Sequence, residues 1–414
     1  MRIAIVGSGI SGLVSAYLLC QDHDITVFEA NDYVGGHTHT VDVTWAGKTY
    51  AVDTGFIVFN EATYPNFVKL LKRLGVAWQP STMSFSVTSE RDGLEYSPRS
   101  INALFAQRKN LFRPAFYRMI FDIFRFRRES VTFLRQKGDK TTLGEYLEAH
   151  GYSEAFVRDF IIPMGSAIWS APPEQSPHLP ARFFIRFFDN HGFLKVRHQP
   201  QWLVIKGGSK RYVHELTRAF RDRIRLRCPV KKVTRHDHGV DVTPPGSGPE
   251  RFDQVIIATH SDQALAMLAD PSEAERRILG AMPYQENVTL LHTDASCLPR
   301  KRACWAGWNY HVPEIGLGRV AVTYNMNILQ GIKAPVEFCV SLNLEEAIKH
   351  DKRIGKFIYH HPVFTPRGLA SQEKGKEISG VNRTYYCGAY WGFGFHEDGV
   401  NSALAVCRHF GRGL

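Results

Sequence analysis

The first thirty residues constrain the fold of this chain more than any other stretch, because they combine two buried strands with a glycine-rich turn. Residues 2–6, "RIAIV", are typical of a strand, "SGLVSAYLLC" of a helix, and residues 24–30, "DITVFEA", of a second strand. Gly7, Gly9 and Gly12 form a GxGxxG turn, and Glu29 ends the second strand. This order predicts a βαβ unit in which the helix N-terminus binds a pyrophosphate and Glu29 accepts hydrogen bonds from a ribose. A glycine turn without a ligand is the alternative interpretation.

Two further glycine loops indicate a cofactor longer than adenosine diphosphate. Gly35 and Gly36 lie in "NDYVGGHTHT", shortly after the second strand, and Gly55 lies in "VDTGFIVFN". Glycine allows a backbone to approach a ligand closely. Similar features occur later in the chain: a glycine pair before a predicted helix in "KGGSKRYVHEL", and the buried strand "VIIA" that begins at Val255. We therefore expect a discontinuous nucleotide domain, built from both ends of the chain and a middle piece.

The composition limits the class of protein and its surroundings. The chain has 414 residues, 44% of them apolar, so it can bury a large core in two domains or one discontinuous domain. A net charge of +11 favours an anionic partner, which can be a membrane surface, a nucleic acid or a phosphate-bearing ligand. The seven cysteines include no CxxC pair, so we expect a reducing cytoplasm and neither a disulfide framework nor a metal site. Because no apolar run is long enough to span a bilayer, any membrane contact is expected to be peripheral.

A middle segment, residues 104–140, is aromatic and rich in arginine. Its pattern predicts a helix, with Pro114 in a first turn and a set of apolar residues at helical spacing: Phe112, Phe116, Met119, Ile120, Ile123 and Phe124. A helix that faces the core and exposes a basic face is one interpretation, and an element that lies on an anionic membrane surface is another. Nucleic-acid binding is disfavoured because no recognised nucleic-acid module surrounds the segment.

An unusual loop precedes the last predicted helix. "GAYWGFGFHEDG", from Gly388 to Gly399, combines glycines with aromatic residues, and such a backbone is suited to lie against a ligand. We expect Asp398 to be the N-cap of the helix that follows. The inward stripe of that helix is expected to consist of Val400, Ala403, Leu404 and Cys407.

Together these segments resemble the flavin-containing amine oxidase superfamily, which includes monoamine oxidases, protoporphyrinogen oxidase and carotenoid desaturases. The landmarks, in order, are "GSGISG", "FEANDYVGGH", "KGGSKRYVHEL" with the following strand, "VIIATHSD" and "YYCGAYWGFGFHEDGVNSAL". "SAIWS", "TYNMNILQ" and "GFHEDG" are similar to a bacterial branch of FAD-dependent oxidoreductases associated with cyclopropane-fatty-acid synthase-like enzymes. The resemblance implies an α/β fold with a discontinuous Rossmann-like FAD-binding domain (1–62, 200–266 and 376–414) and a mixed α+β substrate domain (63–199 and 267–375).

The resemblance also implies which residues hold the cofactor, a non-covalent FAD. Ser11 joins the three glycines of the first turn, and His37 stands where many members have arginine. The flavin would lie against the loop 54–57 and the C-terminal loop, whose helix N-terminus would stabilise negative charge on the reduced ring. The complete set of implied cofactor residues is Gly7, Gly9, Ser11, Gly12, Glu29, Gly35, Gly36, His37, Thr54, Gly55, Phe56, Ile57, Val230, Gly388, Asp398, Gly399 and Val400.

The sequence departs from the best-known amine oxidases. The strand "ENVTLLHTD" carries no lysine to hold a water near the flavin, and no glycine-cysteine pair precedes the last strand for covalent attachment. The run "RFFIRFFDNHGF", residues 182–193, and "SAIWSAPP" suit an apolar substrate such as a lipid acyl chain, although such runs also occur as ordinary helix core. His396 and Glu397 are the predicted acid–base residues, and the other candidates are Asp398, His260, His360 and His361.

Three functional hypotheses follow. The first is an FAD-dependent desaturase or dehydrogenase that acts on an acyl chain of a membrane lipid, with peripheral binding to the inner face of the cell membrane. The second is an oxidase of an amine or another small molecule, and the third is a flavoprotein with a binding role and no turnover. No nucleic-acid partner is expected, and the sequence leaves the electron acceptor open between oxygen, a quinone and a carrier.

Overall fold

The computed structural model describes residues 1–136, 140–195, 199–314 and 318–414. Strands and helices are numbered along the chain. The strands are β1 (Arg2–Val6), β2 (Asp24–Phe28), β3 (Thr40–Trp45), β4 (Lys48–Asp53), β5 (Val58–Asn60), β6 (Trp78–Pro80), β7 (Phe85–Ser89), β8 (Glu95–Tyr96), β9 (Trp202–Ile205), β10 (Ile224–Arg225), β11 (Lys232–His236), β12 (Gly239–Thr243), β13 (Glu250–Phe252), β14 (Gln254–Ile257), β15 (Tyr284–His292), β16 (Trp308–Val312), β17 (Val322–Asn325), β18 (Cys339–Leu342), β19 (Arg353–Pro362) and β20 (Thr384–Tyr386). The α-helices are α1 (Ile10–Leu19), α2 (Pro65–Leu74), α3 (Ile101–Leu104), α4 (Pro114–Arg135), α5 (Leu143–Ala149), α6 (Glu154–Phe156), α7 (Ile162–Trp169), α8 (Ala181–Asn190), α9 (Lys210–Thr217), α10 (Ser261–Met267), α11 (Glu273–Leu279), α12 (Met326–Leu329), α13 (Pro366–Gln372) and α14 (His396–Arg408).

A five-stranded parallel sheet forms the nucleotide-binding layer. Its order is β10-β2-β1-β14-β20, so neighbouring strands come from the beginning, the middle and the end of the chain. Helices including α1 and α14 cover one face of this sheet, and strands β11, β12 and β13 with α10 and α11 cover the other. Because both faces are covered, its strands are almost continuously apolar, and Ile3, Ala4 and Ile5 are fully buried. Helices α1 and α14 pack against each other beside this sheet, which brings the first turn of the chain next to its last helix.

A seven-stranded sheet forms the second layer, in the order β19-β15-β18-β17-β16-β7-β8. All its neighbouring pairs are antiparallel except β16 and β7. Strands β15 and β19 form its longest pair, and Tyr359 and His361 on β19 reach the cavity described below. The strands of this sheet all fall in the ranges predicted for the substrate domain, while the strands of the parallel sheet all fall in those predicted for the FAD-binding domain. A small sheet, β5-β9-β6, joins the two groups, and the exact boundaries stay a prediction.

Helix α4 corrects the expectation for residues 104–140. The segment is not one helix, because a 3₁₀ turn (Arg108–Phe112) precedes α4, which begins at Pro114 in its first turn; residues 137–139 lie outside the described residues. Phe116, Met119 and Ile123 are buried as predicted, whereas Phe112 and Phe124 are 86% and 54% exposed. The helix therefore has a core-facing side and a second apolar side in contact with solvent. Among the described residues, no helix is both long and apolar enough to cross a bilayer.

Candidate functional site

The GxGxxG turn has the close backbone contacts that its glycines predict. Gly7 has a φ of +102°, and a Cβ atom there would lie 2.7 Å from the Ala258 carbonyl oxygen. A Cβ atom at Gly12 would lie 2.0 Å from the Gly7 carbonyl oxygen, so this glycine lets α1 pack against the turn. At Gly9 a Cβ atom would meet nothing within 4 Å, because the residue faces a cavity. Ile10 and Ser11, the first residues of α1, also line this cavity, so the helix N-terminus borders it as an anion site requires.

Glu29 is held at the end of β2 by four hydrogen bonds. Its carboxylate accepts from the Ser8 amide and hydroxyl at 2.9 and 2.5 Å, and from the Asn31 amide and side chain at 2.8 and 2.9 Å. The side chain lines the cavity together with Cys228 and Val230, which follow β10. This is the location expected for a group that contacts an adenosine ribose.

The second and third glycine loops stack on the first. Gly36 has a φ of +59°, and a Cβ atom there would lie 3.0 Å from the Gly9 Cα atom. A Cβ atom at Gly55 would lie 2.1 Å from the His37 carbonyl oxygen. The three loops therefore form one continuous backbone wall, and replacement of these glycines by larger residues would push the loops apart.

The C-terminal loop closes the opposite side of the cavity, and its helix begins earlier than predicted. Helix α14 starts at His396, after an N-cap at Phe395, so Asp398 is not the N-cap. The Asp398 carboxylate instead accepts hydrogen bonds from the amides of Phe393 and Phe395, at 3.0 and 2.9 Å. Burial raises the Asp398 pKa to about 6, against the opposing effect of these two amides. A Cβ atom at Gly392 would lie 2.2 Å from Asp398 Oδ1, so a residue with a side chain at this position would clash with Asp398.

The two predicted acid–base residues have different environments. His396 lines the cavity; its ring stacks on Phe56 with the centroids 3.5 Å apart, and its Nε2 lies 3.1 Å from Thr38 Oγ1 and 2.8 Å from the Tyr212 hydroxyl. Burial lowers its pKa to about 3, so the imidazole is neutral at pH 7 and only weakly basic. Glu397 does not line the cavity, because its carboxylate accepts hydrogen bonds from the Asn66 and Phe67 amides at the start of α2. This arrangement does not support a base role for Glu397.

A group of histidines forms another part of the cavity wall. The His37 ring centroid lies 6.0 Å from that of His260 and 5.4 Å from that of His361, and His260 lies 6.2 Å from His360. Burial lowers the pKa of His37 to about 4 and the pKa values of His260 and His361 to about 3. The Nε2 atom of His37 is buried and has no hydrogen-bond partner. Among the residues that the structure describes, no group of three His, Cys, Asp or Glu side chains is arranged to hold a metal ion.

The structure brings most of the predicted cofactor residues to one cavity of about 1020 Å³. The predicted residues that line it are Gly7, Gly9, Ser11, Glu29, Gly35, Gly36, His37, Thr54, Gly55, Phe56, Ile57, Val230, Gly388 and His396. Gly12, Asp398, Gly399 and Val400 do not line it. A Cβ atom at Gly399 would lie 2.6 Å from Ile10 Cγ2, so Gly399 serves the contact between α14 and α1.

The cavity fits an extended dinucleotide such as FAD, because its volume is at the upper end of the ~300–1,000 Å³ range of sites for one drug-sized ligand. One end is formed by glycine loops and Glu29, and the other end is aromatic. No described lining residue is lysine or arginine, so the groups available to a diphosphate are the amides of the glycine loops and of α1, together with neutral side chains of the lining such as Ser11 and His37.

Sequence reasoning missed most residues of the aromatic end. Trp202, Trp308, Tyr324 and Phe364 line it, together with Trp169 and Phe187 from segments that were named as candidate lining. Tyr284, which stacks on His260 at a centroid distance of 4.5 Å, was also missed. These residues come from strands and turns far apart in the chain, and no local pattern distinguishes them from core residues.

Comparisons with known proteins agree with this geometry. A model of the flavin containing amine oxidoreductases matches residues 10–297. A tryptophan 2-monooxygenase of Allorhizobium ampelinum is 54% identical over 41 residues, which are 9% of this chain and 6% of that enzyme.

Three solved structures share the fold. They are a CLA-producing fatty acid isomerase from P. acnes (TM-score 0.69, 16% identity, covering 99% of this chain and 98% of that one), cyclohexylamine oxidase from Brevibacterium oxydans (0.67, 17%, 99% and 99%) and putrescine oxidase bound to putrescine (0.70, 15%, 99% and 99%). These likenesses confirm the predicted fold class, an α/β flavoenzyme fold with a mixed substrate layer.

Proposed function

The chain belongs to the flavin-containing amine oxidoreductase family and is an FAD-dependent oxidoreductase, and from that premise we propose that it dehydrogenates an apolar substrate, an unsaturated or methyl-branched acyl chain of a lipid. The observation that carries the proposal is the aromatic end of the cavity. Beyond the glycine loops, the lining consists mainly of aromatic and aliphatic side chains, among them Trp169, Phe187, Phe193 and Phe395. Such a surface binds an alkyl chain by burial of apolar area and excludes water from it.

The charges around the cavity support the same choice. Glu29 and Glu286 are the only acidic residues in the described lining; Glu29 is bonded to Ser8 and Asn31, and Glu286 is exposed on β15. Glu286 lies 3.8 Å from His360 Nε2, in the part of the wall formed by the histidines, so the side chains of Trp169, Phe187, Phe193 and Phe395 have no carboxylate among them to pair with an ammonium group. A fatty acid isomerase with the same fold over 99% of this chain is a further supporting observation.

Bound FAD supplies the hydride acceptor for such a reaction. The residues of this chain would position an allylic C–H bond and keep the site dry, while a base removes the second hydrogen as a proton. His396 lies in the cavity wall in the neutral form that can accept a proton, but a pKa of about 3 makes it a weak base. Its proposed contribution is mainly structural, since it joins Phe56, Thr38 and Tyr212.

A second candidate, oxidation of an amine, is favoured by one observation. The ring faces of the aromatic end can bind a cation without a carboxylate. Two structures with this fold, cyclohexylamine oxidase and putrescine oxidase, are named for amine substrates.

Anaerobic mixing of the holoprotein with candidate substrates distinguishes acyl-chain dehydrogenation from amine oxidation. We expect the flavin absorbance to bleach with an unsaturated phospholipid in micelles, and the acyl product to lack two hydrogens by mass spectrometry. Bleaching with cyclohexylamine or putrescine but never with lipid would replace the acyl proposal with the amine one.

A variant tests whether the aromatic end of the cavity binds the acyl chain of the lipid. Phe193→Ala should raise the half-saturating lipid concentration about ten- to a hundredfold, because burial of a Phe side chain is worth about 1.5–3 kcal/mol. Phe410→Ala is the matched control, since Phe410 is a partly buried aromatic residue outside the cavity lining. Equal effects of the two variants would contradict the assignment.

A further inference from the structure

We propose that residues 101–135 form a docking surface for an anionic lipid bilayer, and that aromatic side chains of this surface enter the bilayer interface. Twelve large hydrophobic residues are exposed in the described parts of the chain, and seven of them lie within this one segment. They are Ile101, Leu111, Phe112, Tyr117, Phe121, Phe124 and Val131. Isolated exposed apolar residues are ordinary, but a cluster of this kind marks an interaction site.

Helix α4 presents this surface because both of its sides carry apolar residues. One side is buried, and the other is exposed and also carries basic residues. Its buried side, which includes Phe116, Met119 and Phe126, packs on the core. The outward stripe is Tyr117, Phe121, Phe124, Arg128, Val131 and Arg135, at spacings of three and four residues. Since residues at these spacings share one face of a helix, the exposed aromatic and basic side chains point in the same direction.

The charges of the surface match an anionic partner. The exposed charged residues of the described range 101–136 are all basic: Arg108, Lys109, Arg118, Arg128 and Arg135. The acidic residues there are turned inward, because Asp122 is buried and Glu129 accepts a hydrogen bond from the Tyr152 hydroxyl at 2.7 Å. The guanidinium carbon of Arg118 lies 5.7 Å from the Phe121 ring centroid, and that of Arg127 lies 5.8 Å from the Phe124 ring centroid. Aromatic rings beside basic groups suit a bilayer interface, where the rings enter and the cations contact headgroup phosphates.

The same features argue against a second copy of the chain as the occupant. A two-fold interface places the same patch of both copies face to face. Arg118 is already paired with Asp122 at 3.4 Å, but Arg108, Lys109, Arg128 and Arg135 of the two copies would meet with no exposed acidic residue of this range to face them, which is unfavourable.

The surface is also adjacent to the cavity wall. Helix α4 packs on α8, and Phe187 of α8 lines the aromatic end of the cavity. The Arg182 side chain of α8 donates a hydrogen bond to the Leu134 carbonyl of α4 at 3.0 Å. A bilayer bound here would lie against α4, which separates it from the α8 wall of the cavity. The inference goes beyond the proposed reaction, because vesicle binding needs no turnover and the two can fail separately.

Vesicle sedimentation of the holoprotein tests the surface. We expect binding to vesicles of phosphatidylcholine with phosphatidylglycerol, weaker binding as ionic strength rises, and little binding to phosphatidylcholine alone. Phe112→Ser with Phe121→Ser and Phe124→Ser should lower the partition coefficient at least about tenfold. Arg128→Glu with Arg135→Glu should weaken vesicle binding at low salt, and its difference from the wild type should disappear in high salt. Leu226→Ser with Val381→Ser is the control, because both residues are exposed apolar residues elsewhere, and it should bind as the wild type does.

Several results would overturn the proposal. They are equal binding to neutral and anionic vesicles, no binding at all, or unchanged binding of the triple Phe variant that still retains FAD and the wild-type circular dichroism. A dimer in light scattering that the triple variant converts to a monomer would assign the surface to a second copy. Binding to duplex DNA in place of vesicles, abolished by the Arg128 and Arg135 changes, would assign it to nucleic acid.

Discussion

Glu397→Gln should weaken the fold and leave the chemistry unchanged. Helix α2 begins with Pro65, which has no N–H group, and its N-cap Tyr64 gives no side-chain hydrogen bond. The Asn66 and Phe67 amides therefore depend on the Glu397 carboxylate, at 3.0 and 2.8 Å. The glutamine removes the charge and one acceptor oxygen, and we expect the free energy of unfolding to fall by about 1–3 kcal/mol, the cost of an unsatisfied buried donor.

Urea unfolding and anaerobic flavin reduction together decide the role of Glu397. Asn401→Ala is the matched control, because the Asn401 side chain accepts a hydrogen bond from Asn66 at the same helix contact but is exposed, and it should change stability by less than about 0.5 kcal/mol. If Glu397→Gln unfolds like the wild type but reduces flavin about 10²-fold more slowly, Glu397 acts as a catalytic base and the capping interpretation is wrong.

Three further predictions concern the cofactor and pH. Acid precipitation should release the yellow flavin into solution, and colour that stays in the pellet would indicate a covalent bond. Glu29→Arg should weaken FAD binding by about 2–4 kcal/mol in a fluorescence titration, because it removes hydrogen-bond acceptors and misplaces a charge, whereas Asp32→Asn, at a nearby exposed residue, should not. The FAD-free protein should lose stability between pH 7 and pH 5: the pKa values of His37, His260 and His361 lie at about 3–4 in the fold and near 6.5 when unfolded, so the unfolded chain binds more protons in this window, and each histidine costs up to about 2 kcal/mol. His361→Asn should flatten this pH dependence and His238→Asn, an exposed residue, should not; equal slopes for the two variants would refute the linkage.

The nucleotide-binding half of the fold could be predicted from sequence because its signals are local. The turn from Gly7 to Gly12 lies between a strand and a helix that are contiguous in the chain. Gly7 and Gly12 are required by contacts within that unit or with the neighbouring strand, whereas Gly9 faces the cavity. The start of α14 was misjudged for a local reason as well. Asp398 has the residue type of an N-cap, but it stands three residues after Phe395, the spacing of an acidic residue that bonds back to the N-cap amide.

The partners of individual side chains could not be predicted, because they lie far apart in sequence. The amides that Glu397 binds are about 330 residues away, and His37 meets His260 and His361 only after the parallel sheet and β19 have formed. Helix α4 posed a different difficulty. Since aromatic residues occupy both of its sides, its periodicity alone does not tell which side faces the core.

The structure also shows where part of the excess positive charge lies, which the composition alone does not. A chain of net charge +11 that binds a diphosphate cofactor invites the inference that its cations surround the phosphates. The described cavity lining contains no lysine or arginine, so the donors available there are the glycine-loop amides, the N-terminus of α1 and neutral side chains of the lining. The cations of residues 101–136 are instead exposed beside aromatic side chains, on the helix that packs against the cavity wall. The anionic bilayer proposed as a partner would therefore bind outside the cofactor site, at that surface.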